Sequence, residues 1–202
     1  MFKKFAAEAL GISDIGVIVG PADYNKVDAD DYLFSEDGEQ IFFLIKSKKD
    51  EYCFTNLALI HVDGDSAVSS KRSIKRYDYA SHSVAAVTIE TAGTIDMDVE
   101  LKFTLGNEVF SIDVRKDHLE ALKDIYKALH TIGKLQERDA IGRDHAVQSA
   151  SVVGAMLKLN TAQDPAAVQA HYRAVLDAMN TAVLDDHTRR DFGQVFEKYM
   201  HA

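Results

Sequence analysis

The sequence predicts an α+β protein: a seven-stranded antiparallel β-barrel capped by a C-terminal helix and followed by an all-α helical extension. Three observations carry this reading. Apolar residues recur with a period of two from Glu39 onward, the period changes to that of a helix after Asp117, and strand chemistry stops after Gly133. The composition is compatible with a packed core, with 202 residues, 47% hydrophobic, 27% charged and only 2 Pro. Such a chain is not disordered, fibrous or disulfide-built.

The elements follow in order. Phe2, Phe5, Ala6, Ala9 and Leu10 fall at helical spacing, so residues 1–12 read as a short amphipathic helix; it packs on the domain or, with Lys3 and Lys4, lies on an anionic membrane surface. Ser13 to Asp37 reads as irregular, with a Gly20-Pro21 turn and acidic Asp28, Asp30 and Asp31. Gln40 to Lys46 is a near-continuous apolar run, and Asp50 to Val62 carries β-forming residues on both faces, as in a closed or doubly covered sheet. Arg72 to Tyr79 and Val84 to Thr91 are further strand regions. Strict alternation then puts Val99, Leu101, Phe103 and Leu105 on one face, Gly106-Asn107 gives a two-residue hairpin, and Phe110, Ile112 and Val114 resume inward.

Asp117, with Glu120 three residues on, has capping-box spacing for a helix through Gly133 whose stripe is Leu119, Leu122, Ile125, Tyr126, Leu129 and Ile132. Strands first and one helix last is the layout of a pleckstrin-homology (PH)-like domain. Beyond it, Gln136 to Asn160 is Ala-rich and helical, and Asp164-Pro165 caps a helix with the stripe Val168, His171, Tyr172, Val175, Leu176 and Met179. Phe192, Val195, Phe196 and Tyr199 suit a last short helix. The expected organisation is therefore residues 1–35, an N-terminal helix and irregular segment; 36–135, the PH-like domain; and 136–202, the helical extension. The extension is too small and one-sided to stand alone, so it should pack on itself, on the barrel or on another subunit.

Glu90 to Lys102, reading ETAGTIDMDVELK, together with Phe54-Thr55-Asn56 and the apolar run to Val62, resembles the bacterial PH-domain proteins of the YvbH-like group. The resemblance covers about Glu36 to Ile132, and the tail is similar to the C-terminal oligomerisation extension that some members carry. It implies a PH-like fold and homo-oligomers without an established biochemical activity. Where members show a basic pair after the FTN residues this chain has Leu57-Ala58, so the contacts of that pair are not carried over. Physically, Ala92-Gly93 supplies a tight connection and Thr94, Asp96 and Asp98 bond local amides. A cation held by Asp96, Asp98 and Glu100 is the sharper alternative, without EF-hand spacing to support it.

Charge narrows the partners. The formal charge of -9 makes nucleic-acid binding a poor expectation. Between Lys46 and Arg76, however, seven basic residues (Lys46, Lys48, Lys49, Lys71, Arg72, Lys75, Arg76) face four acidic ones, leaving this stretch at +3 and the remainder at -12. These seven are the candidate site for an anionic lipid headgroup or acidic partner. The alternative is that they guard an edge strand or neutralise a neighbouring subunit.

No reactive constellation is visible. The eight His residues (His61, His82, His118, His130, His145, His171, His187, His201) lack metal-ligand spacing, and the single Cys53 sits in an apolar strand. Asp63-Gly64-Asp65-Ser66 reads as a connecting turn, with cation binding its weaker alternative. Neither a nucleophile elbow nor a phosphate-cradling Gly loop occurs, so no enzyme, cofactor or metal is expected. Glu8 interrupts the N-terminal apolar stretch and no run approaches a membrane span, so a cytoplasmic protein is expected. The leading function is a homo-oligomeric assembly or protein-interaction module; the alternative is an anion-binding module acting through the basic stretch.

Overall fold

A computed structural model describes residues 14–64, 72–91, 98–156 and 164–200. The expected helix at residues 1–12 lies outside them. Five strands form one antiparallel sheet in sequential order, β1 (Val17–Ile18), β2 (Ile41–Lys46), β3 (Glu51–Thr55), β4 (Ala58–Gly64) and β5 (Arg72–Asp78). Three more, β6 (Val84–Thr91), β7 (Asp98–Leu105) and β8 (Glu108–Arg115), form a second antiparallel sheet. The seven-stranded barrel is thereby corrected: among the described residues eight strands make two sheets that do not close into a barrel. At one corner Gly16 joins β8 through Gly16 N to Asp113 O at 2.7 Å and Arg115 N to Gly16 O at 3.0 Å. A Cβ there would lie 2.7 Å from the Ile45 side chain, so glycine permits the approach. At the opposite side, among the described residues, β5 pairs only with β4, and β6 only with β7. The strand that sequence reasoning passed over, β1, is two residues long and embedded in turn-forming residues, too short to show a period.

Strands β2, β3 and β4 are covered on both faces, which explains their unbroken apolar runs, whereas β5 is largely exposed. Between the sheets, Phe43, Phe54, Phe103 and Phe110 form a continuous aromatic core, with successive ring centroids 6.0, 6.0 and 4.9 Å apart. On the other face, Leu44, Cys53, Ile60 and Val62 pack under Val19, Val27 and Ala29. The cover is a strap running from Val19 to Asp37 through three 3-10 turns, Pro21–Lys26, Asp28–Tyr32 and Ser35–Asp37. The β7–β8 hairpin forms as expected, with Leu105 opposite Glu108 and Gly106 at φ +62°.

Helix α1 (Leu119–Met156) is a single helix of 38 residues, so the expected break after Gly133 does not occur. Gly133 marks a close approach instead: a Cβ there would stand 2.5 Å from the Val84 carbonyl oxygen. The capping box does not form either. Asp117 falls inside the 3-10 turn Lys116–His118, and its carboxylate accepts from the Arg115 guanidinium. Asp164 does cap α2 (Pro165–Asn180), accepting from Ala166 N at 3.2 Å, and Thr181–Asp185 continues as a π-helical turn. The last helix, α3 (Gly193–Tyr199), buries Val195 and Phe196.

Contacts divide the chain into two units, one taking in the chain up to Gly133 and again from Arg190, the other Lys134–Arg189. In the first unit α3 returns to the five-stranded sheet: Phe196 stacks on Phe42 with ring centroids 5.3 Å apart, and Phe192 meets Tyr79 at 5.8 Å. In the second, Arg143 donates to the His187 carbonyl, and Gly142 lies against the His187 ring, where a Cβ would come within 2.5 Å of Nδ1.

Candidate functional site

Structure redistributes the seven basic residues. Lys46 ends β2, Lys48 and Lys49 lie in the 47–50 loop, and Arg72, Lys75 and Arg76 stand on β5, an edge strand; Lys71 lies outside the described residues. Four of the six described cations have carboxylate partners. Lys46 pairs with Glu51, Arg72 Nε lies 3.4 Å from Asp28, Lys75 lies 3.7 Å from Asp63, and Arg76 bridges Glu39 at 3.0 Å and Asp78 at 2.7 Å. Only the Lys48 and Lys49 ammonium groups lack such a partner among the described residues. Their loop is shaped by Ser47, whose hydroxyl accepts from Asp50 N at 3.0 Å.

Two buried carboxylates organise this charge, and sequence reasoning singled out neither. Glu51 sits on β3 and accepts from Ala29 N at 2.9 Å and Asp28 N at 3.3 Å while holding Lys46. Glu39 accepts from Phe34 N at 2.8 Å and Arg76 at 3.0 Å, and the Thr55 hydroxyl donates to it at 2.6 Å. Both side chains are almost wholly removed from water. A buried carboxylate is tolerable only when paired and hydrogen-bonded. Each therefore fastens the strap to the sheet and requires a cation beside it. Burial, and then the neighbouring Glu51 charge, push the Asp28 carboxyl above its ordinary value of 3.8, with Lys46 and Arg72 opposing. The visible signal was Glu39 and Glu51 flanking apolar runs, which reads equally well as solvated strand ends.

The FTN residues form a structural hub. Phe54 enters the aromatic core and Thr55 reaches Glu39. Asn56 accepts from Gln40 N at 2.9 Å and donates to Asp191 at 2.9 Å, while its carbonyl accepts from Phe192 N at 2.9 Å. One residue thus ties strand β2 to the entry of α3, 135 positions away.

On the second sheet, Glu90, Thr91, Asp98, Glu100 and Asp113 line an open acidic cavity of about 170 Å³. Lys102 bridges Glu90 at 2.8 Å and Glu100 at 2.9 Å. Burial, with Glu100 and Asp98 nearby, raises the Asp113 carboxyl. Asp96 lies outside the described residues, as do Asp65 and Ser66; among the described residues no group of three His, Cys, Asp or Glu is placed to hold a metal. Asp63 and Gly64 are the last residues of β4, and the rest of the expected connecting turn lies outside the described residues. Cys53 is wholly buried, and burial drives its thiol far above the ordinary range. His61 stacks on Tyr52 at 4.5 Å and lies 3.2 Å from Asp50.

The second unit is different in kind. Helix α2 has no buried residue, and Tyr172 (66% exposed) and Leu176 lie open beside half-exposed Val168, Val175 and Met179. Ile141, Val147, Val152 and Val153 of α1 are exposed as well. Among the described residues no helix is long and apolar enough to cross a membrane.

Residues 9–132 match the family model described as the bacterial PH domain. The chain belongs to that family. It is 50% identical, over the full length of both chains, to the uncharacterized protein YvbH of Bacillus subtilis (strain 168). It is 30% identical to YjqA of the same organism over 48% of this chain and 76% of that one. Among solved structures, a PH-domain-containing bacterial protein from Exiguobacterium sibiricum 255-15 is 43% identical and superposes with a TM-score of 0.86, covering 93% of this chain and 100% of the other. This bacterial PH-domain chain is therefore YvbH-like from end to end, helical extension included, and the family match ends within α1, where the extension begins.

Proposed function

We propose that this bacterial PH-domain protein is a non-catalytic assembly module whose helical extension, Lys134–Arg189, covers its exposed apolar stripes by binding a second copy of the chain. One observation carries the reading: α2 runs for 16 residues without a buried residue. An isolated helix of that length is marginal in water, and an amphipathic helix owes its stability to a covered face. The second copy is favoured by charge. Six basic and seven acidic residues leave Lys134–Arg189 at -1, while the rest of the chain holds -8. Extensions can therefore meet without the repulsion that opposes contact between the PH units. Such a protein acts by surface burial, inside the cell, with no cofactor.

The test must spare α3, because a chain ended at Lys134 loses Phe192 and Phe196 and uncovers Phe42 and Tyr79. We therefore substitute Tyr172→Glu together with Leu176→Glu in the full chain and measure mass by light scattering on gel filtration. The expected result is an oligomer for the parent and a lower mass for the variant, with unchanged near-ultraviolet dichroism. An oligomer of unchanged mass would move the interface off the extension.

A second reading is favoured by Lys48 and Lys49, whose ammonium groups have no acidic partner among the described residues and stand in an exposed loop. They would attract an anionic headgroup or acidic surface, with the carboxylate-paired Arg72, Lys75, Arg76 and Lys46 contributing only residual charge. Salt-sensitive binding to phosphatidylglycerol vesicles, lost on Lys48→Glu with Lys49→Glu, supports it; equal binding by parent and variant excludes that loop.

A further inference from the structure

We propose that the strap from Val19 to Asp37 is a separately opening lid, latched by the buried carboxylates of Glu39 and Glu51, that conceals an apolar strip on the five-stranded sheet. The strip consists of Leu44, Cys53, Ile60 and Val62, three of them aligned across strands by the pairings Leu44 with Cys53 and Cys53 with Ile60.

Three features set the strap apart from the rest of its unit. It contains only short 3-10 turns, whose hydrogen bonds are poorer than those of an α-helix, and none has a side-chain cap at its N-terminus. Its apolar contribution is Val19, Val27 and Ala29 with the partly buried Tyr24 and Leu33, side chains that share no interlocked ring stack like the four-ring aromatic core on the sheet's other face. Its polar attachments include Val19 N on the Leu44 carbonyl at 2.9 Å where the strap leaves β1, Asp28 N and Ala29 N on Glu51, Phe34 N on Glu39, Asp28 on Arg72, Tyr24 Oη on the Phe42 carbonyl at 3.3 Å, and the Arg76 guanidinium over the Phe34 ring at 4.7 Å; those to Glu39, Glu51, Arg72 and Arg76 depend on charge.

The strap itself is acidic. Asp23, Asp28, Asp30, Asp31, Glu36 and Asp37 outnumber the single Lys26, so its underside approaches buried Glu51 with like charge. Lys46 and Arg72 hold that approach together. A segment of few apolar contacts and charge-dependent attachment belongs to the low-stability end of a structure, where sub-global opening occurs. When it opens, the β7–β8 hairpin and the aromatic core can stay folded, because neither contributes to the strip.

Cys53 is a built-in reporter. It is the only cysteine of the chain and wholly buried, and its neighbours are the strap and strip residues. Separation of the two sheets would bare Phe54 on the opposite face instead. A thiol reagent therefore reads strap opening directly.

The experiment measures alkylation of Cys53 by N-ethylmaleimide in the intact native chain across low urea concentrations, alongside backbone amide exchange in β7 and β8. The lid predicts labelling at least tenfold more frequent than opening of the Leu101 and Ile112 amides, with a weaker urea dependence than global unfolding. Val27→Ala should raise labelling several-fold and leave β7–β8 exchange within twofold; Glu51→Gln should do the same through the latch. Cys53 labelling with the rate and urea slope of global unfolding would overturn the lid. So would a Val27→Ala variant in which labelling and β7–β8 exchange rise together.

Discussion

The two halves of α1 both carry apolar residues and differ in burial. From Leu119 to Gly133, Leu122, Ile125, Leu129 and Ile132 are wholly buried; beyond Lys134, Ile141, Val147, Val152 and Val153 stand about half exposed. The helix is continuous, so the difference is not one of secondary structure. An apolar stripe specifies that a face will be covered, and the remainder of the sequence decides by what. Within the PH unit the cover is encoded in the same chain, down to Gly133, whose missing Cβ admits the Val84 carbonyl. Within the extension α2 has no buried residue, and on the proposed function its stripe is the face that a second copy covers.

This contrast can be broken most forcefully in the buried half. Phe103→Ala removes the ring stacked on Phe110, and we expect a loss of about 3–5 kcal/mol in urea unfolding, with the mass of surviving folded protein unchanged. Next in size, Arg76→Met leaves Glu39 buried with hydrogen bonds but no cation. A cost of about 1–3 kcal/mol is expected, and Glu39→Gln on the Arg76→Met background should recover part of it. Asn56→Ala cuts the tie between β2 and α3, for about 1–2 kcal/mol and faster amide exchange in Gly193–Tyr199 ahead of the sheets.

The exposed half should respond in the other currency. Tyr172→Glu on α2 is expected to change unfolding of the dissociated chain by no more than about 0.5 kcal/mol while lowering the assembled mass. The smallest effect concerns Asp28, whose raised value gives a stability contribution that is full below its unfolded value and lost as pH rises through its folded one. Relative to Asp28→Asn, the parent should therefore lose stability as pH is raised from about 4, by under about 1 kcal/mol, read from urea midpoints.

Legibility in the sequence followed the same divide. Strands with strict alternation, such as Val99 to Leu105, could be placed and oriented because a period of two has one buried solution. The family resemblance in ETAGTIDMDVELK and the FTN residues agrees with the family match, although the role of Asn56 was invisible: its partner, Asp191, is 135 positions away and no local rule links them. The basic stretch was legible as composition and not as a surface: Asp28 and Glu39, which pair with Arg72 and Arg76, come from outside it, and Glu51, inside it, is buried against Lys46 and the strap. Gly133 read as a stop and proved a contact, since glycine answers both demands. Short β1 and the strap carried no period to read.

The central claim is that a second copy covers the stripe of α2, and amide exchange of residues 165–180 at two protein concentrations tests it most directly. Protection that falls on hundredfold dilution, while the β7–β8 amides keep theirs, is the predicted result. Protection of α2 that is independent of concentration would contradict the account.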